Sequence, residues 1–312
     1  MGIITLLTDF GIKDPYVGIM KGVVLGLNPN AAIVDLTHQI EPGDISQAAH
    51  VMGESFSFFP PSTIHVAVVD PGVGTNRRPI LVKSRNHFFV GPDNGLFWPI
   101  IKADPRVFVI HLTNEKFFLP HISPTFHGRD IFAPVAGHLS LGTDPLKMGE
   151  RMENPMRIPD TTPTRKGDTL FGLAMRIDHF GNVITNIRRE DLVRFLGNRQ
   201  MVIRVEKERI EGVTKTYADG EKGKLLALFG STNHLEFAVN SDRADRLLNI
   251  EGAHSLPVVV AYGRAGSSPA FGTTIFSRVY VNRSFFLNGL FFVQGNILGN
   301  ISEKHLQPIN GV

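Results

Sequence analysis

The chain contains no cysteine among its 312 residues. Disulfide bonds, thiolate zinc sites, iron–sulfur clusters and a cysteine nucleophile are therefore excluded. A lack of cysteine is consistent with a reducing cytoplasm, and cytoplasmic is the localisation that we expect. The first ten residues, MGIITLLTDF, have no basic residue before their apolar run, so we interpret them as a buried strand rather than a signal peptide.

The sequence also lacks the patterns of several large functional classes. The net charge is only +3 and no arginine-rich run with interleaved aromatic residues occurs, so we expect no nucleic-acid partner. Neither the Gly-rich dinucleotide fingerprint nor a Walker-type phosphate loop is present. The uncharged run 284–302 contains several Asn, Gln and Gly residues, which argue against a membrane span. We expect extra strands or a subunit contact there, and no membrane partner.

What the chain does contain, over its first 140 residues, is an alternation of short apolar runs and amphipathic segments. This alternation favours an α/β domain with a mostly parallel central sheet. The predicted helices are Tyr16–Leu27, Ile45–Phe59, Asn94–Ile101 and Asp130–Leu139, and the predicted strands are Ile3–Leu7, Ala32–Leu36, Thr63–Val69, Ile80–Val82, His87–Val90 and Val107–His111.

The amino-acid composition changes after residue 142, where a short charged segment contains Pro145, Pro155, Pro159 and Pro163. Beyond it, short apolar runs separated by Gly, Asn and Asp are typical of a small antiparallel barrel. We therefore predict an α/β domain at 1–142, a Pro-rich linker at 143–167 and an all-β barrel domain at 168–255. The tail at 256–312 receives no predicted fold.

Three aspartates stand at the ends of apolar strands of the predicted α/β domain: Asp9, Asp35 and Asp70. Ligands of open parallel sheets bind outside the carboxyl ends of the strands, so these acids are expected to face one crevice. An isolated Asp at such a position is often only a turn cap. Asp9 also suits a ribose diol, and since phosphate-binding loops are absent, a nucleoside is a better ligand candidate than NAD or ATP.

Two further segments add candidate catalytic groups. In VDPGVGTNRR, the loop after Asp70 can fold Arg77 back beside that carboxylate, which would keep it ionised and fix its direction, although a purely structural ion pair is also consistent. His127, in TFHGRD, lies at a predicted loop–helix junction where an imidazole suits acid–base chemistry. A metal site made of Asp9, His38, Asp70 and His127 is a rival hypothesis, unsupported by any HExxH spacing.

In the predicted barrel, DHFGNVITNI joins a polar turn to a strand. The amide of Asn182 can both donate to and accept from an adenine edge, and Asp178 can bind an ammonium group. The same residues also suit an ordinary hairpin turn. The later segment LEFAVN, with Glu236, can likewise be a plain barrel hairpin.

Five segments together resemble the S-adenosyl-L-methionine (SAM) hydrolase (adenosine-forming) family, the SAM hydroxide adenosyltransferases, whose superfamily contains the fluorinases and chlorinases. The matching segments, in family order, are TDFG at Thr8–Gly11, VDPGVGTNRR at Val69–Arg78, TFHGRDIFAP at Thr125–Pro134, DHFGNVITNI at Asp178–Ile187 and LEFAVN at Leu235–Asn240. The resemblance implies an N-terminal α/β domain, a C-terminal β-barrel and a homotrimer whose ligand lies between the N-terminal domain of one subunit and the C-terminal domain of its neighbour.

The resemblance also implies roles for individual residues. The water-activating triad would be Asp70, Arg77 and His127. The substrate-binding residues would be Asp9 at the ribose, Asn182 and the main chain near Val239 at adenine, Tyr217 stacking on adenine, Asp178 and Ser231 at methionine, and Glu236 within the last segment. The turn Thr232–His234 departs from the family pattern.

The implied reaction is hydrolysis of SAM to adenosine and L-methionine, with no metal and no cofactor. Halogenases of the superfamily usually carry Trp where Ile184 stands here, and the extra fluorinase loop is absent, so water is favoured over halide as the nucleophile. A chloride-using halogenase, a nucleoside- or SAM-binding module without turnover, and a metal-dependent hydrolase are the rival hypotheses.

Overall fold

The computed structural model describes residues 2–197, 199–250 and 256–262. The strands in these residues are β1 Ile3–Thr8, β2 Ala32–Thr37, β3 Ile64–Val68, β4 Pro79–Lys83, β5 Phe88–Pro92, β6 Phe108–Leu112, β7 Gly149–Met152, β8 Thr164–Lys166, β9 Thr169–Ile177, β10 Val183–Arg188, β11 Met201–Val205, β12 Glu208–Glu211, β13 Leu225–Phe229, β14 His234–Val239 and β15 Pro257–Tyr262. The α-helices are α1 Tyr16–Leu27, α2 Ile45–Ser55, α3 Trp98–Ala103, α4 Ala133–Ser140, α5 Arg189–Leu196 and α6 Ala244–Leu247.

The first sheet has the strand order β2-β1-β3-β5-β4-β6-β7. β2, β1, β3 and β5 pair in parallel, whereas β4, β6 and β7 add antiparallel pairs. The change of direction follows from loop length, because β4 and β5 are joined by a short hairpin rather than by a crossover helix. The α/β domain is confirmed, and its parallel part comprises four strands.

Helices cover both faces of the first sheet. α1 and α4 bury Met20, Val24 and Val135 against one face, and α2 and α3 bury Met52 and Ile100 against the other. Strands covered on both faces are apolar on both faces, and accordingly every residue of β3 is buried. The layered core fixes the carboxyl ends of β1 and β3, from which the candidate site is built.

The second sheet is antiparallel throughout, in the order β12-β11-β15-β9-β10-β14-β13, with β8 on β9. A bridge between Thr214 and Leu228 brings the segment after β12 to β13, so the sheet curls into a nearly closed barrel. Its interior holds the large side chain of Phe237 and the apolar side of α5. The all-β second domain is confirmed.

The ends of both sheets lie differently from the boundaries that we predicted. β7 and β8 fall within the predicted linker 143–167, since β7 pairs with β6 and β8 pairs with β9. β15 extends the second sheet past residue 255, because its run of valines pairs with β9 and β11. The rest of the predicted tail, including 284–302, lies outside the described residues.

No helix in the part of the chain that the structure describes combines the length and the apolar character needed to cross a bilayer.

Candidate functional site

Asp9 and Asp70 meet at the carboxyl ends of two neighbouring parallel strands, β1 and β3. Both line a cavity of about 390 Å³ together with His127, as the topology predicts. Asp35 does not join them. It lies within β2 opposite Leu6, where its carboxylate contacts Lys21 and His38, so our expectation of one crevice with three acids was wrong for Asp35.

Arg77 connects the other two members of the predicted triad. Its Nε donates to Asp70 Oδ1 and Oδ2 at 2.9 and 2.8 Å, and its Nη2 also donates to Asp70 Oδ2. The same Nη2 donates to His127 Nδ1 at 2.7 Å. The side chains of Asp70 and Arg77 are 5% and 8% exposed, so the pair is a buried, charge-assisted contact of fixed direction.

The contact with Arg77 determines the protonation of His127. A guanidinium has no acceptor, so Nδ1 of His127 must accept, and in the neutral ring the proton is then on Nε2. Burial lowers the pKa of His127 below its usual value of 6.5, and the charge of Arg77 lowers it further, against the smaller opposing effects of Asp70 and Asp130. His127 is therefore a neutral hydrogen-bond donor at neutral pH.

The loop that carries Arg77 lies directly against the loop that carries His127. Gly74 has φ +77°, and a Cβ there would lie 2.3 Å from the carbonyl oxygen of Pro124, so this approach requires glycine. Behind His127, the buried carboxylate of Asp130 accepts from Ser123 N at 2.8 Å and pairs with Arg129. A π-helical turn, Gly128–Phe132, follows His127. Such turns are frequent at functional sites.

Asp9 is held in place by the loop that contains Gly43. Its Oδ2 accepts a hydrogen bond from Gly43 N at 2.8 Å. Burial raises the pKa of Asp9, and the neighbouring Asp70 adds to the rise, while the hydrogen bond from Gly43 opposes it. Phe10 and Phe126 form the apolar wall, with ring centroids 5.9 Å apart. These two rings and Gly43 were not among the predicted site residues, although both rings lie within predicted motifs.

The metal hypothesis built on Asp9, His38, Asp70 and His127 is wrong for His38. Its Nδ1 lies 2.9 Å from Thr8 Oγ1 and its Nε2 lies 3.0 Å from Asp35, so the ring is engaged away from the cavity. Asp70 and His127 are in turn joined through Arg77. The guanidinium takes the only lone pair of His127 Nδ1 and places a cation against Asp70, which disfavours a metal ion between the two groups.

The candidates of the second domain form a separate group around the turn between β9 and β10. Asp178 Oδ1 accepts from the backbone of Phe180 and Asn182, both at 2.9 Å, and Oδ2 accepts from Asn182 Nδ2 at 3.0 Å. The hairpin interpretation therefore holds, since the Asp178 carboxylate caps its own turn. The Asn182 side-chain oxygen is left for a ligand, and Nδ2 has a second hydrogen.

Tyr217 and Glu236 stand near this turn. Tyr217 Oη donates to Glu236 Oε1 at 2.5 Å, and Glu236 itself is buried on β14. Burial raises the pKa of Tyr217, and the contact with Glu236 raises it further. Burial likewise raises the pKa of Glu236, opposed by the hydrogen bond from Tyr217. The ring of Tyr217 is 46% exposed and thus offers a free face for stacking.

The remaining candidates are Ser231, which is exposed on the β13–β14 hairpin, and Val239, whose carbonyl accepts from Asp242 N at 3.3 Å. None of the six candidates from the second domain lines the cavity of Asp9, Asp70 and His127, whose lining comes entirely from the first domain in the described residues. The structure thus brings together the predicted catalytic triad with Asp9, and presents the second-domain residues as a separate group.

Two family models match the chain. The SAM hydroxide adenosyltransferase N-terminal domain matches residues 4–149, and the SAM hydroxide adenosyltransferase C-terminal domain matches residues 172–256. The chain belongs to the SAM hydroxide adenosyltransferase family. The first match covers strands β1 to β6 of the first sheet, and the second match covers most of β9 and strands β10 to β14 of the second sheet.

Individual relatives of the chain agree with the family assignment. The (R)-S-adenosyl-L-methionine hydrolase of Salinispora tropica is 36% identical over 82% of this chain and 97% of its own length. The fluorinase of Nocardia brasiliensis is more distant, at 27% identity over 83% of this chain and 97% of its own length. A solved protein from Thermotoga maritima, described as an uncharacterized conserved protein, superimposes with a TM-score of 0.77 at 34% identity and covers 83% of this chain and 99% of its own.

Proposed function

We propose that this chain hydrolyses S-adenosyl-L-methionine to adenosine and L-methionine by attack of one water molecule on C5′. The observation that carries the proposal is the Asp70–Arg77–His127 constellation beside Asp9 in one cavity of a SAM hydroxide adenosyltransferase. The relatives named as hydrolases support the substrate and the nucleophile. Since their name specifies the (R) epimer, we extend the proposal to that configuration at sulfur.

The reaction requires mainly that the protein position the attacking water correctly. The sulfonium of SAM is a cationic leaving group that departs as a neutral thioether, so neither a metal ion nor a general acid is needed to expel it. The site must hold a water in line with the C5′–S bond, about 3–3.5 Å from C5′. Positioning of this kind lowers barriers by several kcal/mol. We therefore propose a reaction without a metal or another cofactor.

Asp70 and His127 make different hydrogen bonds to the attacking water. His127 presents Nε2–H and so donates a hydrogen bond to the water, because its Nδ1 is engaged by Arg77. Asp70 accepts a hydrogen bond from the same water through the lone pairs that Arg77 leaves free. As the C–O bond forms, the oxygen becomes acidic and its proton passes to Asp70, which the hydrogen-bond pattern favours over His127 as the acceptor.

Substrate recognition is shared between the two groups of residues. In the proposal, Asp9 binds the ribose hydroxyls in the first-domain cavity. The second-domain group supplies Asn182 and the main chain near Val239 for adenine, the exposed face of Tyr217 for stacking, Asp178 and Ser231 for methionine, and Glu236 to hold Tyr217.

We propose that the two groups meet between subunits of a homotrimer. Exposed apolar side chains flank both groups: Ile12 follows the Asp9 loop and is 77% exposed, and Phe180 stands in the Asp178–Asn182 turn and is 73% exposed. In the proposal, these two side chains are buried against the neighbouring subunit. A cytoplasmic location, consistent with the lack of cysteine, is part of the same proposal.

The decisive experiment is incubation with SAM in ¹⁸O-labelled water, followed by mass spectrometry of the nucleoside. We expect one ¹⁸O atom in the 5′-hydroxyl of adenosine and an equimolar release of methionine. Parallel reactions with chloride and fluoride test the halogenase alternative, which requires a 5′-halo-nucleoside. Saturable adenosine binding without methionine release would instead mark a binding module, and either result overturns the proposal. Separate incubations with the (R) and (S) sulfonium epimers test the configuration.

A further inference from the structure

A second cluster of chemically capable side chains lies where the two domains meet, away from the proposed catalytic site. His50 and Glu54 stand one helical turn apart on α2, so they share one face of that helix. This face meets His234, the first residue of β14, and the rings of His50 and His234 have centroids 5.0 Å apart. Two imidazoles and a carboxylate from distant parts of the chain thus converge.

The donor atoms of these three residues have the spacing of a metal-ligand set. Glu54 Oε1 lies 3.2 Å from His50 Nε2 and 2.9 Å from His234 Nδ1, and all three atoms lie within 4.8 Å of one another. With metal–ligand bonds of about 2.0–2.2 Å, two donors on one tetrahedral ion are about 3.4 Å apart. Only small side-chain movements separate the observed positions from a coordinating arrangement.

Two of these atoms are buried without a well-aligned partner. Within the described residues, His50 Nε2 and Glu54 Oε1 make no hydrogen bond of good geometry despite their close approach. The Glu54 side chain is only 8% exposed, so the poor alignment of the two imidazole contacts at Oε1 is not compensated by solvent. An ion bound between the three residues would satisfy both atoms at once.

The surrounding groups leave Glu54 Oε1 available. Arg176 Nη2 lies 3.3 Å from Oε2, so it engages the other oxygen and orients the carboxylate, as outer partners of metal ligands do. Thr232 Oγ1 lies 3.2 Å from His234 Nδ1 and would give up that contact to a bound ion. A cavity of about 780 Å³ adjoins the cluster, and its lining includes Asp160 and Asp191. It gives a hydrated cation an entry path and leaves water as a further ligand.

We propose that His50, Glu54 and His234 form a binding site for a first-row divalent cation, with Zn²⁺ as the preferred ion. Two imidazole nitrogens and one carboxylate oxygen with an open position suit this class of ion, whereas Ca²⁺ and Mg²⁺ require more oxygen ligands. The site takes two ligands from the first domain and one from the second, so the bound ion fastens the domains together. The ion takes no part in the proposed reaction at Asp70 and His127, since the two cavities share no lining residue.

The test uses the full chain without a histidine tag, stripped with EDTA. Titration with Zn²⁺ alone, followed by calorimetry, is expected to give one equivalent with a dissociation constant in the micromolar range or below. The midpoint temperature of thermal unfolding is expected to rise by roughly 5 °C when the Zn²⁺ concentration is a hundredfold above that constant. Addition of one equivalent of Co²⁺ is expected to produce the visible absorption bands of a four-coordinate ion.

We expect Zn²⁺ binding to weaken at least about 100-fold in each of the variants His50→Gln, Glu54→Gln and His234→Gln. The matched control is His179→Gln, at an exposed position, and this variant should bind Zn²⁺ as the wild type does. Hydrolysis of SAM by the stripped wild-type chain is expected to persist at temperatures well below unfolding. The proposal is overturned by Zn²⁺ binding that survives all three substitutions, or by a wild-type chain that shows no Co²⁺ band. The Co²⁺ measurement uses only the wild-type chain, so it does not require any variant to fold. Neither the Zn²⁺ result nor the Co²⁺ result depends on the hydrolase proposal.

Discussion

Arg77 Nη2 lies 2.7 Å from Nδ1 of His127 and contacts the carboxylate of Asp70 with the same nitrogen. One guanidinium group thus fixes the direction of an acid and the tautomer of an imidazole that are far apart in the chain. Because Arg77 cannot accept a hydrogen bond, the two neighbours are not equivalent towards a water: Asp70 accepts and His127 donates. This asymmetry underlies the first two predictions.

Replacement of Asp70 is predicted to abolish turnover while ligand binding persists. Asp70→Ala removes the proton acceptor, and loss of a positioned acid–base group typically costs about 10²–10⁴ in kcat. The adenosine dissociation constant, measured by calorimetry, should change little, because in our proposal the nucleoside is bound by Asp9 and the second-domain residues. Asp70→Asn is the companion variant, since it keeps a partner for the buried Arg77. An equal loss of binding and turnover in both variants would remove Asp70 from the chemical step.

The acid limb of the pH profile is predicted to report His127. Its pKa is lowered from 6.5 in the folded protein, so the ring is neutral at pH 7 and protonates only below 6.5. Protonation places a hydrogen on Nδ1 facing Arg77 and breaks their contact. We therefore expect kcat/KM to be flat above pH 6.5 and to fall below it, with the midpoint on the acid side of 6.5.

His127→Asn is the test of this assignment, because it removes the titrating group and retains a polar side chain. The variant should be slow at every pH, and this acid limb should be absent from its profile. A limb that persists unchanged in His127→Asn would assign the titration to another group.

Mixing of two inactive variants is predicted to restore activity if the site forms between subunits. Asp70→Ala disables the first-domain cavity and Asn182→Ala disables the second-domain group. In randomly mixed trimers at equal concentrations, roughly one quarter of the sites pair two intact halves. Activity near that fraction of wild type is expected after co-refolding or co-expression, with each variant alone as the control. A site formed within one chain would show no recovery, which would overturn the intersubunit proposal.

The sequence predicted the elements well where local signals are strong. Helix α1 has the predicted bounds, because its apolar spacing and the Asn28–Pro29 stop are both local. The predicted helix Ile45–Phe59 instead ends at Ser55 and continues as a 3₁₀ turn at Phe56–Phe58. The Asn94–Ile101 prediction is displaced to α3, since Gly95 takes a positive φ of +96° that a helix does not allow.

The site was predictable to the extent that strand ends and motifs specify it. Asp9 and Asp70 end adjacent strands, so their meeting follows from topology. Asp35 follows the same pattern of residues but lies inside its strand, and register is a property of the sheet rather than of the segment. The cluster of His50 and Glu54 with His234 carries no sequence signal beyond the helical spacing of the first two residues, because domain packing alone brings the third.

His65 is predicted to make the protein less stable in acid. The ring is buried, with Nδ1 2.7 Å from Thr5 Oγ1 and Nε2 3.3 Å from His87 Nδ1. Burial, and then the charge of His87, lower its pKa from 6.5 to about 3. As the pH falls, the unfolded state therefore binds this proton at a higher pH than the folded state does. The contribution of His65 is complete above pH 6.5 and is lost as the pH falls towards 3.

Between these limits one extra proton on the unfolded chain costs about 1.4 kcal/mol of unfolding free energy per pH unit. His65→Gln, which retains a polar partner for Thr5, should reduce the pH slope by about this amount in urea unfolding curves measured from pH 4.5 to 7. The exposed His121→Gln is the matched control and should leave the slope unchanged. If both variants keep the wild-type slope, another group is responsible for the acid sensitivity.

Gly74 offers a test of whether catalysis depends on the contact between the two catalytic loops. Both Gly74 and Gly142 have positive φ values, +77° and +84°, but a Cβ at Gly142 meets nothing within 4 Å, whereas one at Gly74 meets Pro124 O. Gly142→Ala should therefore cost only the backbone strain, about 1–2 kcal/mol of stability, with kcat unchanged. Gly74→Ala should in addition push the Arg77 loop away from His127 and lower kcat about 10²-fold, since displacements near 1 Å have effects of that size. Equal kcat values in the two variants would show that the close contact between these loops does not determine the position of the attacking water.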